Sequence, residues 1–104
     1  MAVIPRDLPD GLVSYSRSPD FTPETLPKKL RAFHATKIGV WGVIRVLEGC
    51  IRYSLDDPHR GQVVARAGDT VIIEPAVPHR VEFLEAGRFF VEFFRSATIK
   101  RSDL

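Results

Sequence analysis

From residue 28 onward, apolar positions recur every second residue in short runs separated by Gly, Pro and Asp. That is the period of a strand, whose successive side chains leave on opposite faces. "LRAFH", residues 30–34, puts Leu30, Ala32 and His34 on one face and Arg31 and Phe33 on the other. "VWGVIRVLEG", residues 40–49, and "IRYSL", residues 51–55, read as a hairpin with Glu48, Gly49 and Cys50 near the bend. A polar loop follows over residues 56–62, and "VVARAGD" then turns at Gly68 and Asp69. "TVIIE" (70–74), "HRVEFL" (79–84) and "RFFVEFF" (88–94) supply further strands, the first two joined by "PAVP". No segment sustains a helical stripe of ten residues. Seven or eight short strands predict an all-β barrel or double-sheet sandwich with little or no helix.

Residues 1–27 differ. They hold five of the eight prolines, Pro5, Pro9, Pro19, Pro23 and Pro27. Proline interrupts helices and central ladders alike, so this segment is expected to wrap the core as extended pieces and edge strands. Thr22 before Pro23 could cap a short helix that Pro27 stops almost at once. At 104 residues the chain fits one domain, residues 1–104, with no internal repeat.

Composition narrows the function classes. Hydrophobic residues make up 44% and charged residues 27%, a globular balance. The formal charge is +2 with the basic residues scattered, which argues against nucleic acid as the main partner. A single cysteine, Cys50, rules out an intrachain disulfide and suits a reducing compartment. The first residues, "MAVIPRDLPDG", lack the apolar core of a signal peptide, and no run approaches 18 apolar residues. The expectation is a cytoplasmic protein with no membrane partner.

Three histidines are the candidates for chemistry. By strand parity His34 faces inward with Leu30 and Ala32, and His79 shares a face with Val81 and Phe83, while His59 sits in the polar loop. Two inward imidazoles suggest a shared divalent-metal site, or else two core or rim histidines satisfied by neighbours. The acids are ambiguous too. Glu92 is the one polar residue within "FFVEFF", and either finds a partner or metal inside or is an ordinary surface group. Glu82 lies three residues beyond His79, on the opposite face unless a bulge intervenes. Glu74 and Glu48 sit at turns. Trp41, Tyr53 and the phenylalanines line either a pocket or a core. No nucleotide-binding loop or nucleophile-elbow motif is present.

In "TLPKKLRAFHATKIGVWGVIRVLEGCIRY", residues 25–53, and "AGDTVIIEPAVPHRVEFLEAGRFFVEFF", residues 67–94, the chain resembles the cupin superfamily. Within it the resemblance is to the small TehB/YeaR-like proteins and domains, associated by name with tellurite resistance. The elements that carry it are His34, the "GVW" step at residues 39–41, Glu48-Gly49, Pro75, His79, Glu82 and the aromatic strand through Glu92. The resemblance implies a jelly-roll barrel whose interior can hold a divalent metal. The second general cupin motif maps onto Gly68, Pro75 and His79. The first departs, since only His34 stands near its histidines and the Trp41-Gly42 region takes the place of its glutamate.

A modified metal site is therefore implied, built from His34, His79 and one or both of Glu82 and Glu92. Two histidines and a carboxylate leave positions open for a small molecule. Zinc, iron, nickel and manganese all remain candidates. The expected function is binding or sensing of a small-molecule ligand, with a stress response as the setting it suggests. The alternatives are a metal-dependent enzyme of oxygenase or isomerase type, or a non-catalytic structural or dimerisation barrel. An exposed edge strand would favour a homodimer in each case.

Overall fold

The computed structural model describes residues 4–56 and 61–97. As expected, it is almost wholly antiparallel β. Five strands, β1 (Leu12–Arg17), β2 (Trp41–Leu55), β3 (Gln62–Arg66), β4 (Thr70–Ile73) and β5 (His79–Ser96), accompany one helical turn, α1 (Lys28–Arg31). The sheet runs β1-β5-β2-β3, with β4 also on β2.

Two of these strands correct the sequence reading. Residues 40–49 and 51–55 do not form a hairpin, because β2 runs straight through Gly49 as one 15-residue strand. Likewise "HRVEFL" and "RFFVEFF" join across Gly87 into the 18-residue β5. Both strands bend where they pass each other, and the β2–β5 register slips between Val46 and Ile51. Glycine is required at this crossing for lack of space. A Cβ on Gly87 would lie 2.0 Å from the Glu48 carbonyl oxygen, and one on Gly49 would lie 2.4 Å from that of Ala86. Gly49 thus reads as a turn in one dimension but, with Gly87 on the facing strand, forms a bulged crossing in three.

The bend folds the sheet over its own apolar face. Ile44 and Val46 from one half of β2 meet Ile51 and Tyr53 from the other, with Val71, Ile73, Val81, Phe89 and Val91 in the same cluster. The proline-rich segment covers this cluster, inserting Leu26 and resting Ile4 and Phe21 against it, and Leu30 of α1 packs beside them. Phe21 bonds Phe89 through both backbone groups, at 2.7 and 3.1 Å, and their rings meet edge to face at 5.6 Å. β1 follows as an edge strand on β5.

"LRAFH" is a further correction. Residues 28–31 form a helical turn that begins after Pro27, and no strand face joins Leu30 to His34. Pro27 is the cap residue, in an extended conformation, and the turn opens directly after it. Thr22 begins a separate turn, closed by Leu26 N–H bonding the Thr22 carbonyl at 2.9 Å. Among the described residues no helix is long and apolar enough to cross a membrane.

Candidate functional site

His34 and His79 lie side by side. Each backbone N–H bonds the other residue's carbonyl, at 2.9 and 2.8 Å, as an isolated antiparallel bridge. The imidazole centres are 4.5 Å apart and the rings are inclined at 62°. The "PAVP" turn delivers His79 to this position. Its Ala76 takes a left-handed φ of 62°, and the Ala76 N–H bonds the Thr36 carbonyl at 3.1 Å. A non-glycine residue rarely adopts that conformation. Three backbone bonds thus tie residues 76–79 to residues 34–36.

Protonation follows from the neighbours. Nδ1 of His79 is 2.9 Å from the Val77 carbonyl and Nδ1 of His34 is 3.3 Å from the Ala32 carbonyl. A carbonyl oxygen only accepts, so Nδ1 carries a hydrogen in each ring. His79 is 2% exposed. Burial, reinforced by the neighbouring His34 and opposed by the Val77 carbonyl, lowers its pKa to about 4. At neutral pH it is an uncharged imidazole.

Tyr53 is the third ring of this group, inclined on His79 at a centre distance of 5.2 Å. It is almost fully buried, and burial followed by the nearby Glu74 raises its phenol above the ordinary value. Tyr53, Glu74 and Val77 line a narrow internal space together with Ile4 and Ile72. Its inward direction is legible in the alternation Ile51, Tyr53, Leu55. Its partner is not, because His79 reaches it from 26 residues downstream in the register of β5 on β2.

The two carboxylates are elsewhere. β5 pairs with β2 without a register slip from His79 to Glu82, so no bulge turns Glu82 toward His79. Glu82 instead accepts a bond from Arg52 Nε at 3.1 Å, directly across the strand pair. Glu92 alternates with the buried Val91 and accepts bonds from Arg45, at 2.8 and 2.9 Å. Bonds from the Ser14 hydroxyl and then Arg45 lower its pKa. The phenylalanines on its face are accounted for: Phe90 carries the Arg17 guanidinium 3.7 Å above its ring, and Phe94 stands opposite Trp41.

The structure therefore brings together His34 and His79 and leaves Glu82 and Glu92 with arginines. Among the described residues, no group of three or more His, Cys, Asp and Glu side chains is placed to hold a metal ion. The pair itself suits a borderline divalent ion, since both rings anchor Nδ1 on a backbone carbonyl, as metal-bound histidines do, and leave Nε2 as the atom that would meet the ion. The acidic ligands expected from sequence do not fit. His59 lies outside the described residues.

A family model described as a TehB-like domain matches residues 16–91 of this chain. Two curated relatives from Haemophilus influenzae, strains 10810 and KW20/Rd, are each named "Probable S-adenosyl-L-methionine-dependent methyltransferase TehB". They are 37% and 34% identical to it over 79 residues, 70% of this chain. The chain spans only 27% of their length. The crystal structure of TehB from Haemophilus influenzae superposes with a TM-score of 0.76 at 25% identity, covering 84% of this chain and 32% of that one. A crystal structure of an Escherichia coli K12 protein superposes at 0.79 with 21% identity, covering 88% and 98% of the two chains, a likeness of fold alone.

Proposed function

The chain belongs to the TehB-like family, and from that premise we propose that it binds a divalent metal ion through Nε2 of His34 and Nε2 of His79, and with the ion a small-molecule ligand. The observation that carries this reading is the pair of adjacent imidazoles, each anchored at Nδ1 on a carbonyl. Metal-to-imidazole bonds are about 2.0–2.1 Å long, and rings 4.5 Å apart are close enough to share one ion. With both carboxylates engaged by arginines, an imidazole-only set favours nickel, zinc or iron over manganese. When bound, the ion supplies open positions that polarise an oxygen or sulfur atom of the ligand. The protein's part is to orient the rings, keep His79 uncharged and wall the site with Tyr53. Methyl transfer is not assigned, because the named methyltransferases are matched over so small a share of their length.

Calorimetric titration of metal-free protein with Ni²⁺ tests this. One saturable equivalent is expected, weakened at least about tenfold by His34→Ala and by His79→Ala. Titration without saturation, or full affinity in His34→Ala, rejects it.

A second reading is favoured by the lack of a third side-chain donor among the described residues. In it the histidines are a structural clasp, held by their reciprocal backbone bonds. Both substitutions would then lower stability and leave metal binding unchanged.

A further inference from the structure

We propose that the cavity between residues 4–6 and the outer edges of β3 and β4 binds a small organic acid, its carboxylate on Arg6 and its hydrocarbon chain against Val63, Val71 and Ile72. The cavity has a volume of about 480 Å³, within the range of small-molecule pockets. Ile4 and Pro5 form one wall, and Gln62 and Thr70 add polar groups beside the apolar floor.

Charge selects the ligand. Arg17, Arg45, Arg52, Arg66 and Arg88 each face a carboxylate, while Arg80 and Arg95 lie over aromatic rings. Arg6 and Arg31 have no such partner among the described residues, and of the two Arg6 stands on the lining of this cavity. A guanidinium matches a carboxylate with two parallel donors. β3 and β4 pair with β2 alone, so their other edges carry backbone groups that no strand takes up among the described residues. An anionic head with an apolar tail satisfies the arginine, the edge and the floor together. Ile4, Pro5 and Ile72 are shared between the lining of this cavity and that of the narrower space at Tyr53.

Amide NMR titration with hexanoate, butyrate and hexanol tests the proposal on the whole chain. Hexanoate should shift the amides of Gln62, Val63, Thr70 and Val71 saturably. Butyrate, two methylenes shorter, should bind about tenfold more weakly. Arg6→Gln should weaken hexanoate at least about threefold and leave hexanol unchanged, and Arg6→Lys should keep most of the affinity. Raising the salt concentration should weaken hexanoate in the wild-type chain, a measure independent of any variant. His34→Ala should have no effect, which separates this site from the histidine pair. Shifts confined to other residues, equal binding of hexanol, or hexanoate affinity insensitive to both salt and Arg6→Gln would each overturn it.

Discussion

His34 and His79, 45 residues apart in sequence, exchange both backbone hydrogen bonds and stand with ring centres 4.5 Å apart. The contact places a buried, neutral imidazole beside a second ring, and stability should depend on pH as a result. Unfolded, His79 titrates near 6.5; folded, near 4. Between those values the unfolded chain holds a proton that the folded chain does not, so stability rises with pH. The contribution is complete above about pH 6.5 and is lost as pH falls toward 4, to a total of at most about 3 kcal/mol. Urea unfolding at pH 7 and pH 4.5 measures it. His79→Phe should lose this share of the slope, and an unchanged slope would remove His79 as its source.

The carboxylates offer a sharp contrast. Glu82→Gln and Glu92→Gln each break a partly exposed arginine pair, which costs at most about 1 kcal/mol. Nickel affinity should stay within about twofold in both variants. A tenfold loss in either would put that carboxylate back in the metal shell.

Ala76 carries backbone strain next to the site. Glycine adopts the same φ freely, and the left-handed conformation costs an ordinary residue about 1–2 kcal/mol. Ala76→Gly should therefore stabilise the chain by up to about 1 kcal/mol after the entropy of the more flexible unfolded chain is included. Thermal melting reads this directly, and a lowered Tm would show that the turn is not strained.

At the crossing of β2 and β5 the expectation is reversed. A methyl group on Gly87 meets the backbone of Glu48 and Gly49, which no side-chain rotation relieves. Gly87→Ala should cost at least about 2 kcal/mol in chemical denaturation. A neutral result would mean that the strands separate there without penalty.

The sequence discloses the strands well and their continuity poorly. Alternation in "IRYSL" and the branched run before it locate β2, but Gly49 carries the same local signal whether it turns the chain or permits a crossing. Only Gly87, distant in sequence, distinguishes the two. "LRAFH" fails for a related reason: five residues that satisfy a strand period also fit one helical turn followed by extended chain, and Pro27 decides for the turn. At the site, the histidines stand out because imidazoles are few. The fate of Glu82 and Glu92 is hidden because it depends on Arg52, directly opposite Glu82, and Arg45, diagonal to Glu92, which come near only through the register of β5 on β2.

The place of β5 in the sheet sets the order in which the molecule can be made. β5 lies between β1 and β2, and its first residue, His79, is also half of the histidine pair. While the ribosome is still short of residue 79, β1 has no neighbour and His34 no counterpart. β2, β3 and β4 can already be paired, but their apolar face lacks Val81, Phe89 and Val91. The nascent chain therefore carries an open three-strand sheet until its last described strand is synthesised, and in that interval it is most exposed to aggregation and to chaperones.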